Sequence, residues 1–417
     1  MDDSHPLSGD SNTGSSRPIV NTHVHLPPNF SAFETPEQAV LMAAAEGVAA
    51  IGTANYHDYR VYSRFAAAAS AAGVVPLFGL EIITRIDDLP GGGMLFNDPT
   101  NLNRMYMCGK ALTRLEQPIP SAARRMATMR AASEDRIRRM VDLIAARFAE
   151  VGLAGGPAGA LTDAQIAATV GQRCGVPIEW VSLQERHVAQ AFQELVFAAV
   201  EPGGRADALG RLFGSPTSVD TADAVAVQEA IRSNLMKAGK PAFVPEAAVS
   251  FEDAYRLILE LGGIPCYPIL ADGASPICGF EDPPEVLAER LLARGIYCAE
   301  LIPVRNRSDV VDRYVSVLRR AGIVMMAGTE HNTRRMIPVE PLVLGGEPLS
   351  AMAREAFWEG TCVVAAHQML TSAGRPGYVD GEGRPAAGFA DVESRIRAFR
   401  QIGADLITAS LTARVRA

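Results

Sequence analysis

Short apolar runs that end in polar residues alternate with amphipathic stretches along much of this chain, the pattern of strands joined by helices in a barrel or open parallel sheet. Pro18-Ile19-Val20 predicts a buried strand that runs into Asn21-Thr22-His23-Val24-His25 and stops at Leu26-Pro27-Pro28. A helix is predicted over 35–46, with Thr35 as N-cap, Pro36 in the first helical position and Gly47 beyond the end. A strand over 48–54, a helix over 59–72 and a strand over 74–83 follow. The alternation then breaks and resumes with a helix over 251–261, a strand over 262–268, a helix over 283–294, a strand over 296–302, a helix over 308–321 and a strand over 323–329.

The interruption has its own pattern. Pro90-Gly91-Gly92-Gly93 marks a loop, residues 104–108 are a short strand candidate, and residues 121–150 show helical apolar recurrence with many arginines on the other positions. Helical pieces near 162–173, 185–200 and 220–238 follow, separated by Gly and Pro punctuation with no fixed-period repeat. The expected organisation is therefore a leader at 1–17, rich in Ser, Asp and Gly, the first part of a barrel at 18–110, a helical insertion at 111–250 able to cover the barrel mouth, and the rest of the barrel with C-terminal helices at 251–417.

Composition narrows the class. The 417 residues are 48% hydrophobic, enough for a large core, and the formal net charge of -8 disfavours general nucleic-acid affinity. No apolar run reaches the roughly 18 residues that span a bilayer, and the six cysteines form neither a close-spaced ligand motif nor a disulfide scaffold. A small-molecule substrate and a reduced, cytoplasmic setting are expected, with a homo-oligomer left open.

Chemistry gathers at the strand ends. His23 and His25 lie two residues apart, so in a strand both imidazoles share a face and can converge on one ion. Asn55, His57 and Asp58 follow the second strand, Glu81 sits near the end of the third, and Glu330-His331 follows the strand at 323–329. Parallel strands place these ends side by side, so the recurrence favours a shared metal centre over separate polar turns. The expected ligands are His23, His25, Glu81 and His331, then His57 and Glu330, around one or two zinc, manganese or iron ions. Asp58 or His57 would orient a metal-activated water or shuttle its proton. Arg305 and Arg307 would meet a substrate phosphate or carboxylate, or else form a solvated helix start. His187 reads as a packing histidine, His367 as a buried, satisfied one, and Gly155-Gly156-Pro157-Ala158-Gly159 matches no nucleotide-binding pattern.

With these residues in view, the chain resembles the PHP family, named for polymerase and histidinol phosphatase domains, over 18–90 and again over about 250–340. His23-Val24-His25 matches the family's opening His-x-His, Asn55 to Asp58 sits where its Asp-His element follows the second strand, Gly79-Leu80-Glu81 looks like its Gly-x-Glu, and Gly328-Thr329-Glu330-His331 is similar to its late Gly-Ser-Asp-x-His, with Glu330 and His331 adjacent instead of spaced. The resemblance implies a distorted (β/α)7 TIM-like barrel, divalent metal at the C-terminal strand ends and hydrolysis of a phosphate ester. Asn55 stands where the family has an acidic ligand, Tyr267-Pro268 where it has His-Pro, and no histidine lies between His57 and His187. The chain is therefore expected to be a PHP-type metal-dependent phosphoesterase acting on a small phosphorylated substrate. The opening segment is also similar to the amidohydrolase superfamily, which implies C–N hydrolysis, and the missing ligands leave a metal-binding sensor or interaction domain as a further alternative.

Overall fold

The protein was analysed as a computed structural model that describes residues 17–416 except 88, 90–92, 154–159 and 247. The leader through residue 16, most of the Pro90-Gly93 loop and the glycine-rich stretch at 155–159 lie outside the described residues. The described chain is mixed α/β. Strands β1 (Ile19–Val24), β2 (Val48–Thr53) and β3 (Val75–Leu77) form a parallel sheet, connected through helices α1 (Pro36–Ala45) and α2 (Tyr62–Ala72). Thr35 caps α1 by accepting from the Gln38 backbone N–H, as expected from the sequence.

The stretch 74–83 is not one strand. It divides at Phe78-Gly79 into β3 and β4 (Leu80–Arg85), which belong to different sheets. The cause is a close approach: a Cβ on Gly79 would stand 2.2 Å from the Thr53 carbonyl oxygen and 2.9 Å from that of Gly109. Only glycine lets the chain pass there and change partners. Strand β4 pairs antiparallel with β5 (Arg104–Lys110), which pairs antiparallel with β7 (Ile264–Ile269); β8 (Cys298–Leu301) and β9 (Val324–Ala327) continue in parallel, and the short β6 (Val249–Ser250) flanks β4. The strand–helix alternation predicts a barrel or an open parallel sheet; the β4–β5–β7 antiparallel run departs from parallel pairing.

Isolated parallel bridges join the two sheets at both ends, Tyr56 to Glu81 and Val24 to Glu330. Backbone bonds reinforce the second junction, with the N–H groups of Thr329 and Glu330 donating to the His23 carbonyl and the His25 N–H donating to that of Glu330. Next to these bridges His57, Glu330 and His331 adopt positive φ (53°, 60° and 53°). That conformation is costly outside glycine and ends each regular ladder where the polar cluster begins.

Helices α8 (Phe251–Glu260), α9 (Pro284–Leu292), α10 (Ser308–Arg320), α11 (Ala351–Ser372) and α12 (Val392–Arg416) complete the strand-bearing part. Helix α3 (Pro120–Glu150) leaves it. Ala122, Met126 and Met129 pack with the main core, whereas Ile137, Met140, Val141, Ile144 and Phe148 belong to a separate apolar cluster. That second cluster is shared with α4 (Asp163–Cys174), α5 (Glu185–Ala199), α6 (Arg205–Phe213) and α7 (Ala224–Ile231). At 31 residues α3 is about 46 Å long, enough to link two cores while its apolar stripe keeps helical period. No helix among the described residues is long and apolar enough to cross a membrane.

Candidate metal centre

The His23-x-His25 spacing works as strand geometry requires. Both rings point to one side of β1, their Nε2 atoms 3.3 Å apart, and Glu81 at the start of β4 brings Oε2 to 3.6 Å from His23 Nε2 and 3.4 Å from His25 Nε2. Three potential ligand atoms thus face one point, drawn from two different sheets. Gly328 permits the packing behind it, since a Cβ there would stand 2.2 Å from His23 Cβ.

What orients His23 is a residue that sequence reading did not single out. Glu300, in the middle of β8 and fully buried, accepts from His23 Nδ1 at 2.9 Å. A proton held on Nδ1 leaves the Nε2 lone pair directed at His25 and Glu81, the usual carboxylate–histidine support of a metal ligand. Lys110 at the end of β5, one of only three lysines in the chain, pairs with Glu300 at 2.6 Å and donates to the Thr22 carbonyl at 3.0 Å. Burial by itself would raise the Glu300 carboxyl, but Lys110 and His23 hold it at about 2. Burial likewise opposes charge on His23, and the Glu300 carboxylate overrides it, lifting the imidazole to about 9 in the absence of a cation. Glu81 is depressed despite its burial by the two facing histidines. A signal existed in the sequence: Glu300 is a lone acid between Ala299 and Leu301 in an apolar run, and a buried charge needs a partner.

Cys108 also approaches His23 and Glu300 as a second group of potential ligands. Lys110 already supplies the positive charge opposite Glu300 there, which disfavours a cation.

The other expected site residues are placed differently. His331 is buried, but Nδ1 meets Thr329 Oγ1 at 2.8 Å, Nε2 meets the Ile337 carbonyl at 3.0 Å, and the ring stacks on Phe33. With both nitrogens engaged it does not join the His23–His25–Glu81 group. Asp58 accepts three bonds from the Arg60 guanidinium and one from its backbone N–H, and lies off the cavity described below. His57 is also off that cavity, stacked on Tyr56, with neither ring nitrogen hydrogen-bonded and burial holding it down at about 3. A water or proton role for Asp58 or His57 therefore has no geometric support. Arg307 is solvent-exposed and pairs with Asp309, whereas Arg305 faces the cavity, tied to Glu330, which also accepts from Asn332.

The departures from the family pattern are explained locally. Asn55 donates to the Leu26 carbonyl at 2.9 Å and accepts from the Leu26 N–H at 2.6 Å, clamping the segment after β1 instead of facing an ion. Tyr267 turns away from the metal group into the core, donating its hydroxyl to Glu281 at 3.0 Å.

A cavity of about 530 Å³ opens over the group. Its floor includes His23, His25, Glu81, Arg305 and Glu330, and the helical region contributes Arg136, Glu185, Arg186, Arg232, Lys237 and Glu246. Tyr56 crosses between the two parts, donating to Glu246 Oε1 at 2.6 Å, and Arg130 of α3 donates to the His57 carbonyl at 3.1 Å.

The fold itself is shared with known structures. A protein named as a candidate metal-dependent phosphoesterase from Bifidobacterium adolescentis superposes with a TM-score of 0.50 at 19% identity, covering 82% of this chain and 96% of its own. An amidohydrolase from Chromobacterium violaceum, with sulfate and no metal bound, gives a TM-score of 0.50 at 18% identity over 77% of this chain and 93% of its own. No family model and no curated protein sequence matches the chain. At such identity the likeness establishes a common fold, with a six-stranded and a three-stranded sheet bridged at their ends in this chain.

Proposed function

We propose that the chain is a divalent-metal-dependent hydrolase of the PHP type, a phosphoesterase for a small phosphorylated substrate, built on a distorted (β/α)7 barrel whose mouth is covered by the helical insertion at 111–250. The observation that carries this reading is the convergence of His23, His25 and Glu81 on one point, with Glu300 behind His23. The donor set fits a divalent ion: two imidazole nitrogens and a carboxylate suit zinc, manganese or iron, and two ring nitrogens 3.3 Å apart gain most when a cation lies between them and the carboxylate. His25 Nε2 faces both His23 and Glu81, at 3.3 Å and 3.4 Å, which makes it the ring nitrogen placed for the ion.

A bound ion would supply a water of lowered pKa and neutralise developing oxyanion charge. The chain's own groups do the rest. Glu300 keeps the His23 proton on Nδ1, and Lys110 keeps Glu300 ionised. Arg305 presents a guanidinium to the cavity beside Glu330, able to hold a phosphate oxygen and orient the ester. The covering helices restrict water around the reacting group.

The chemistry has a second reading. The likeness to the amidohydrolase is as strong as that to the phosphoesterase, so C–N hydrolysis by the same centre is the alternative. Metal analysis of natively purified protein, then turnover of a panel of phosphate esters and amides, separates the two. Stoichiometric metal with ester turnover is expected. A folded His23→Ala/His25→Ala variant that keeps its metal and any turnover would overturn the assignment.

A further inference from the structure

The insertion's contribution to the cavity wall is more than a cover. Arg136, Arg186, Arg232 and Lys237 all line the cavity, against two lining carboxylates, Glu185 and Glu246, from the same region. Glu185 alone is shared by Arg136 at 2.5 Å, Lys237 at 2.8 Å and Arg232 at 3.6 Å. A third carboxylate, Glu229, pairs with Arg232 at 2.7 Å and also with Arg186, leaving four cations for three anions. Arg232 lines the cavity, and its Nε is buried there with no hydrogen-bond partner, an unsatisfied donor in a wall of otherwise paired charges. It sits where α7 passes into a single π-helical turn, Arg232–Met236, a local irregularity that is frequent at functional sites.

We infer that these side chains form an anion subsite, so that the substrate carries a carboxylate or phosphate group held by the insertion and separate from the bond broken at the metal centre. This rests on the hydrolase reading for the second half of the statement, while the subsite itself stands on the insertion's residues alone. A planar guanidinium with a free N–H suits either anion.

The test is calorimetric titration of the full-length protein, stripped of metal by a chelator, with inorganic phosphate and in parallel with malonate, at matched ionic strength. Binding of either anion is expected, weakened about tenfold or more by Arg232→Met and partly restored by Arg232→Lys. The two titrations separate phosphate from carboxylate preference. Anion binding to the metal-stripped protein that ignores Arg232→Met would overturn the subsite and leave the metal centre standing. Binding that depends on Arg232 in a protein that takes up no metal would keep the subsite and remove the hydrolase reading. Absence of binding for both anions also overturns the proposal. Should Arg232→Met fail to fold, Lys237→Met gives the same readout at a side chain 43% exposed.

Discussion

His23 and His331 sit on paired backbone, at the ends of β1 and β9, and both are buried, yet their rings are used in opposite ways. His23 gives one nitrogen to a buried carboxylate and leaves the other facing His25 and Glu81. His331 spends both nitrogens on a threonine hydroxyl and a backbone carbonyl and packs its ring on Phe33. The protonation preferences follow: the carboxylate lifts His23 to about 9, whereas burial with only neutral partners holds His331 near 4. Burial therefore does not decide how a histidine is used; what occupies its two ring nitrogens does.

The most direct way to break this contrast is to exchange the two losses. His23→Ala is expected to reduce bound metal from stoichiometric to background. His331→Ala should keep the metal and lose about 1–3 kcal/mol of stability from the unpaired groups it leaves. Metal analysis alongside denaturant unfolding reads both, and the reverse pattern would move the centre to the β9 end.

Glu300→Gln sharpens the same comparison. It keeps an acceptor for His23 Nδ1 but removes the charge, and a drop of about 10–100-fold in metal affinity is expected by competition with a chelating dye. Unchanged affinity would mean that Glu300 serves only Lys110. Gly328→Ala presses on His23 from β9, and a loss of about 1–3 kcal/mol should appear in the denaturation midpoint. An unaltered midpoint would show that the two strand ends are not so closely packed.

A more distributed effect is on pH dependence. His331 and His367 are both held near 4 by burial, against 6.5 for a free imidazole. Between pH 6.5 and 4 the unfolded chain binds protons that the folded chain refuses. Their contribution is thus fully present above pH 6.5 and is lost as pH falls toward 4, by at most about 3 kcal/mol for each residue. Glu281 works in the other direction: buried with Tyr267, it is pushed up from 4.5 to about 7, so between those values the folded chain holds the extra proton and stability falls as pH rises. His367→Asn should flatten the acid loss and Glu281→Gln should steepen it, as measured by denaturation midpoints across pH 4 to 7. Parallel curves for both variants would rule out these groups as its source.

Much of the strand–helix order was legible because its signals are local. The Thr35 cap, the polar residues at the end of β1 and after β9, and the long α3 stripe each depend on neighbours within a few residues. The break at Gly79 was hidden because it is caused by carbonyls of Thr53 and Gly109, remote in sequence. For the same reason the roles of Glu300 and Lys110 are not local: each is a charged residue in or at the end of a largely apolar strand, and its meaning appears only where β8 and β5 meet β1 across the interior. Arg136 is one of the arginines between the apolar positions of 121–150, yet α3 turns it toward the cavity as the helix passes from one core to the other.

The sequence by itself determined that polar, metal-type residues would stand at the ends of apolar strands, and that His23 and His25 would share a face, because strand period is a property of the backbone alone. Tertiary structure decided which of those residues meet. It turned Glu81 toward the histidines, closed the nitrogens of His331 with local partners, committed Asp58 to Arg60 and Asn55 to Leu26, and placed the insertion's cations over the same cavity. The choice belongs to packing because a side chain's free lone pair is defined by what the rest of the molecule leaves unsatisfied.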